Sequence, residues 1–126
     1  MRREDLERYL ERGDCFGFVK QTNSNDYSGW ILLNKLKPND RYLSLLSPGE
    51  EPEFVIEQEF IRQNPYHISI VELKREIHES ERYETNEDFR LREYYDFSNL
   101  DEIEIFLKNL GFILEDIKWS SEINAP

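Results

Sequence analysis

The clearest hydrophobic pattern in the chain lies near its C-terminal end, between residues 98 and 119. Apolar side chains recur there at the spacing of one face of an α-helix. They are Leu100, Ile103, Phe106, Leu107 and Leu110. Ser98 is a candidate N-cap that Asp101 completes as a capping box, and Gly111 is a candidate C′ residue. We therefore predict an amphipathic helix over residues 98–110, followed by a strand that ends at Trp119.

Shorter patterns predict a further helix and several strands. Residues 4–12 place Leu6, Tyr9 and Leu10 on one helical face, and Gly13 follows as a terminator. Alternating or short apolar runs between turn residues are typical of strands. The predicted strands are residues 14–21, 30–36, 42–46, 54–60, 67–73 and 89–97. Residues 74–88 have no coherent apolar period and are predicted to form an exposed, charged connector with room for a short helical turn.

The order of these elements predicts the fold class. Strands dominate the middle of the chain, the helices lie near its ends, and most connectors are too short for parallel crossovers. We expect a single α+β domain over residues 1–126 with a single antiparallel sheet of about five to seven strands. A short N-terminal helix precedes this sheet, the C-terminal amphipathic helix packs on one face, and a final strand follows.

The predicted strand at residues 54–60 alternates apolar side chains with acidic ones. Because successive residues of a strand point to opposite faces, its glutamates are predicted to form a row of negative charge on one face. Glu53, Glu57 and Glu59 belong to this row, and Glu50 and Glu51 in the preceding connector extend it. The candidate partner-binding residues are Glu50, Glu51, Glu53, Glu57 and Glu59.

The distribution of charge along the chain says more about function than the net charge does. The 126-residue chain has a net charge of −11, and nearly all the excess acid lies after residue 48. Such a field disfavours contact with nucleic-acid phosphates and favours contact with a basic protein surface. Solubility alone also explains a strongly acidic surface. In size and charge, although in no motif, the chain resembles small acidic immunity proteins and antitoxins.

The cysteine content and hydropathy bear on location. Cys15 is the single cysteine, which excludes an internal disulfide and any multi-cysteine metal site and fits a reducing compartment. No apolar run approaches the roughly 18 residues of a membrane helix, and the N-terminus lacks the apolar core of a signal peptide. We therefore expect a cytoplasmic protein that does not bind membranes.

Residues with catalytic or ligand chemistry occur without diagnostic spacing. His67 and His78 belong to no HExxH or comparable metal motif, and phosphate-binding, nucleophile-elbow and calcium-loop motifs are missing. We therefore predict no catalytic residues, metal or cofactor. A secondary candidate surface is formed by Arg90, Arg92 and Tyr94, since stacking rings beside arginines bind single-stranded nucleic acid.

Three hypotheses follow, in this order. The first is a small acidic, non-enzymatic protein-binding module of the inhibitor or immunity type, whose partner has a basic surface. The second is a small enzyme or ligand-binding protein with a site on the sheet face away from the main helix. The third is single-stranded nucleic-acid binding through Arg90, Arg92 and Tyr94, for which cross-strand pairing of the arginines with Glu57 or Glu59 is the simpler explanation.

Overall fold

The computed structural model describes residues 1–39, 52–80 and 83–126. The helices within these ranges are α1 (Arg3–Glu11), α2 (Pro52–Gln63), α3 (Arg75–Glu79) and α4 (Leu100–Asn109). The strands are β1 (Phe16–Lys20), β2 (Tyr27–Lys35), β3 (Tyr66–Lys74), β4 (Phe89–Phe97) and β5 (Lys118–Trp119). Short 3-10 turns occur at Asn86–Asp88 and Leu114–Asp116.

The strands of this described part form one antiparallel, five-stranded sheet in the order β4-β3-β2-β1-β5. The strands from β1 to β4 follow one another in chain order, and β5 returns to pair with β1 at the opposite edge. This arrangement confirms the predicted α+β class with a single antiparallel sheet. The predicted strand at residues 42–46 lies outside the described residues.

The main hydrophobic core lies between one face of the sheet and the helices α1 and α4. Alternate residues of the central strands point into it, as expected where one face of an antiparallel sheet is covered. Its largest fully buried members include Leu6, Leu10, Phe16, Leu33, Ile68, Leu100, Ile103 and Leu107. Most of the apolar stripe predicted for α4 therefore packs on the sheet: Leu100, Ile103 and Leu107 are buried, whereas Leu110 at its end is 45% exposed.

The opposite face of the sheet is partly covered by the C-terminal segment. Trp30, Val71 and Leu73 form a smaller buried cluster there, against which Ile123 and Ala125 pack. The indole Nε1 of Trp30 donates a hydrogen bond of 2.9 Å to the carbonyl oxygen of Ile123. The C-terminal segment thus covers part of this face.

The ends of α4 differ in one respect from the prediction. Asn99, and not Ser98, is the N-cap: its side-chain oxygen accepts a hydrogen bond of 3.0 Å from the backbone N–H of Glu102. Ser98 instead donates from its hydroxyl to the carboxylate of Glu102 at 2.6 Å. Gly111 has a φ of +91°, which confirms it as the left-handed residue that ends the helix.

The prediction of a strand at residues 54–60 is wrong, because this segment lies within helix α2. Pro52 occupies the first helical position and Arg62 the last turn, both favourable for a helix. Phe54, Gln58 and Ile61 are the more buried side chains, at the helical spacing i, i+4 and i+7. The segment therefore has a helical period as well as the two-residue alternation from which the strand was predicted.

Candidate functional site

Helix α2 carries large apolar side chains on its outer face. Ile56 is 68% exposed and Phe60 is 49% exposed. Because they lie four residues apart on a helix, the two side chains are neighbours one turn apart. Adjacent exposed apolar side chains form a continuous apolar surface, which makes this face of α2 a candidate contact for another molecule.

Glutamates flank this apolar pair. Glu53 lies three residues before Ile56 and Glu57 three residues before Phe60, while Glu59 lies three residues after Ile56. Residues three apart on a helix are neighbours, so each glutamate adjoins one member of the pair. All three carboxylates belong to exposed residues. We call Glu53, Ile56, Glu57, Glu59 and Phe60 the α2 surface.

The α2 surface replaces the predicted acidic row. Glu57 and Glu59 are two residues apart on a helix, so they point to nearly opposite sides instead of the same side. Glu59 accepts a hydrogen bond of 2.5 Å from Arg62, which partly neutralises its charge. Glu50 and Glu51, the remaining members of the predicted row, lie outside the described residues.

A buried amide orients helix α2. Gln58 is 6% exposed, and its side-chain oxygen accepts a hydrogen bond from the backbone N–H of Asn39. Just after the helix, the backbone N–H of Leu36 donates to the carbonyl oxygen of Pro65 at 2.7 Å. These contacts hold the inner side of α2 against the segment that follows β2, and the opposite side, with Ile56 and Phe60, faces outward.

The structure separates the residues of the secondary candidate surface. Pairing between β3 and β4 is irregular at Glu72 and Leu73, and the guanidinium of Arg90 contacts the carboxylate of Glu72. Arg92 and Tyr94 remain near each other, with 5.9 Å from the Arg92 guanidinium carbon to the centre of the Tyr94 ring. Pairing of the arginines with Glu57 or Glu59 is therefore wrong for Arg90, whose partner is Glu72.

Glu72 is a carboxylate that the sequence analysis did not single out. It is 5% exposed and accepts hydrogen bonds from Lys20 at 2.6 Å and from Arg90. Burial acts to raise the pKa of Glu72, but the hydrogen bonds from Lys20 and Arg90 outweigh it and hold the pKa below its ordinary value. The signal in the sequence was an acidic residue flanked by the apolar Val71 and Leu73.

The histidines occupy separate positions. His67 lies directly opposite Asp96 in the sheet, with 2.9 Å between Nδ1 and a carboxylate oxygen, and its ring stacks on Tyr94 at 5.6 Å. The Nε2 of His78 lies 2.7 Å from the carbonyl oxygen of Asn124, so this ring helps to hold the C-terminal segment. Each imidazole thus has one ring nitrogen within hydrogen-bond distance of an oxygen.

The thiol of Cys15 is half-buried next to β1. Burial raises the pKa of this thiol, and its hydrogen bonds with Ser120 and the Phe16 carbonyl offset this only in part. A raised pKa disfavours the thiolate that nucleophilic chemistry requires. The position fits a packing role for Cys15.

Within residues 1–39, 52–80 and 83–126, no three His, Cys, Asp or Glu side chains are placed to hold a metal ion together. None of the helices in those ranges is both long and apolar enough to cross a membrane. The sequence and the fold match no protein-family model, no curated protein and no solved structure at a significant level.

Proposed function

We propose that this protein is a non-enzymatic protein-binding module of the inhibitor type, and that it binds a basic partner through the α2 surface. The observation that carries the proposal is the exposed pair Ile56 and Phe60 with glutamates beside it. Protein interfaces commonly combine an apolar centre with a polar rim, and the apolar centre supplies most of the binding energy.

The partner implied by this surface has complementary chemistry. It offers an apolar pocket for Ile56 and Phe60 and lysine or arginine side chains for Glu53 and Glu57. A nuclease or another protein with a phosphate-binding surface has such basic residues. The net charge of −11 supports this assignment, because long-range attraction accelerates encounter with a basic protein.

The experiment compares which proteins are captured by the wild-type chain and by matched variants. Ile56→Ser with Phe60→Ser removes the apolar centre, and Ile105→Ser is the control, since Ile105 is 63% exposed on another helix, α4. We expect the double variant to lose a protein that the wild type and the Ile105→Ser control both retain. Retention of every captured protein by the double variant would remove the α2 surface from the interface.

The charge contribution is tested with the captured partner. Glu53→Gln with Glu57→Gln should slow association and weaken its dependence on ionic strength, because steering acts mainly on the association rate. Glu115→Gln with Asp116→Asn removes the same charge from exposed residues elsewhere and serves as the control. Equal association rates for the two charge variants at low salt would show that the glutamates of α2 are not at the interface.

A further inference from the structure

Beyond the end of the main core, one row of residues crosses the sheet on the side of α4. Lys20 of β1 pairs with Gly29 of β2, Gly29 with Glu72 of β3, and Glu72 with Leu91 of β4. A parallel row, formed by Phe18, Ile31, Ile70 and Glu93, lies two residues away on every strand. Because side chains two residues apart on a strand point to the same face, both rows face α4.

The glycine in this row leaves room above the sheet. With no side chain at Gly29, the side chain of Lys20 passes over β2 and its ammonium nitrogen lies 2.6 Å from a Glu72 oxygen. Arg90 contacts the same carboxylate from the other side. A depression of about 490 Å³ opens here, lined by Lys20, Gln21, Asn23, Glu72, Arg90 and Leu91.

An apolar depression adjoins the charged one. It also measures about 490 Å³ and shares Lys20 and Gln21 with its neighbour. Its remaining lining residues are Val19, Ile31, Ile70, Leu110 and Phe112. Leu110 is 45% exposed, so apolar surface continues to the rim on the side of α4.

The charges at the junction favour an anion. Lys20 and Arg90 together carry one more positive charge than Glu72 neutralises, in a protein whose net charge is −11. An ammonium has three N–H donors and a guanidinium has five, so both groups can contact a second anion while they hold Glu72. The nearest acid in the adjoining row, Glu93, accepts a hydrogen bond of 2.7 Å from the hydroxyl of Tyr95.

We propose that the two depressions form one binding site for a small amphipathic carboxylate, such as a medium-chain fatty acid. The carboxylate contacts Lys20 and Arg90 through charge-assisted hydrogen bonds. The alkyl chain lies in the apolar depression against Ile70, Leu110 and Phe112, where it is removed from water. None of these residues belongs to α2, so the proposal does not depend on the α2 surface.

The test uses isothermal titration and amide chemical shifts with decanoate, 1-decanol and decyltrimethylammonium, each below its aggregation concentration. We expect decanoate to bind about tenfold more tightly than decanol, the factor that one charge-assisted hydrogen bond supplies. Decyltrimethylammonium should bind most weakly. Shifts should concentrate at Gln21, Ile70 and Phe112. Equal affinity for decanoate and decanol, absence of decanoate binding, or shifts confined to other residues would each overturn the proposal.

Variants assign the two halves of the site. Lys20→Gln should weaken decanoate binding about tenfold and leave decanol binding unchanged, whereas Lys118→Gln, at an exposed lysine of β5, should alter neither. Leu110→Ser should weaken the binding of both decanoate and decanol. Because Leu110 is partly exposed, this variant should fold, and it tests the site even if Lys20→Gln does not fold. Undiminished decanoate binding by Lys20→Gln, or by Leu110→Ser, would contradict the proposed site.

Discussion

The ammonium nitrogen of Lys20 lies 2.6 Å from a carboxylate oxygen of Glu72, although strand β2 runs between the strands that carry them. Contact over this distance depends on Gly29, which stands between the two residues and has no side chain. Arg90 contacts the same carboxylate. A nearly buried carboxylate needs such partners, because its transfer from water without them is costly.

The first prediction concerns Gly29. A Cβ at this position would lie 2.8 Å from the backbone carbonyl oxygen of Lys20, too close for the strands to keep their present spacing. Gly29→Ala should therefore lower the free energy of unfolding by about 1–3 kcal/mol, as overpacking does. Urea denaturation measures this. The control is Ser28→Ala, a neighbouring change that adds no atom; an equal effect of the two variants would show that the strands tolerate the added methyl group.

The second prediction concerns the pH dependence of stability. Since the folded-state pKa of Glu72 is held below its ordinary value, its stabilisation is present above the unfolded-state pKa of about 4.3 and is lost as the pH falls through the lower, folded-state pKa. Glu72→Gln should be less stable than the wild type at pH 7, and the difference should shrink on acidification below about pH 4.3.

Urea midpoints at a series of pH values measure this difference. Glu115→Gln, at an exposed residue, reports the general effect of removing one negative charge. A constant difference between Glu72→Gln and the wild type across the acid range would contradict the assigned role of the carboxylate.

The third prediction tests the packed face of α4 with a pair of isoleucines. Ile103 is fully buried, whereas Ile105, two residues later, is 63% exposed. Ile103→Ala should lower the free energy of unfolding by about 2–5 kcal/mol, the usual cost of truncating a buried isoleucine. Ile105→Ala makes the same chemical change and should alter it by less than about 0.5 kcal/mol, as surface substitutions do. Similar losses for the two variants would mean that α4 is oriented differently.

The fourth prediction identifies the residue that caps α4. Asn99→Ala removes the acceptor for the backbone N–H of Glu102 and should cost about 1 kcal/mol of stability. Ser98→Ala removes a hydrogen bond to an exposed carboxylate and should cost much less. Thermal unfolding of both variants distinguishes them; a larger loss for Ser98→Ala would restore Ser98 as the cap.

The sequence determined the elements whose period is local and unambiguous. The predicted strand at residues 89–97 is confirmed as β4, and the predicted helices correspond to α1 and α4 within a few residues. Alternation over nine residues with no competing helical period favours a strand, and a helical stripe followed by a glycine favours a helix that ends there. The same signals were enough to predict the single antiparallel sheet.

The segment around residue 56 satisfied two periods at once, and the tertiary structure decided between them. Phe54, Ile56 and Phe60 alternate as in a strand, but Phe54, Gln58 and Ile61 also follow a helical spacing. In the helix, Gln58 is buried on the inner side, and its side-chain oxygen accepts a hydrogen bond from the backbone N–H of Asn39. The consequence for function is large, because the predicted acidic strand face became a helix with an exposed apolar centre.

The sequence placed Lys20, Gly29, Glu72 and Arg90 on separate elements without relating them. Their meeting depends on the register of three strand pairs, which is set by packing across the whole sheet and not by any local pattern. The sequence by itself shows only that an acidic residue, Glu72, lies between the apolar residues Val71 and Leu73. The tertiary structure decided which cations compensate that carboxylate, because only the paired strands bring Lys20 across the glycine of β2 and place Arg90 on the adjacent strand β4, beside Glu72.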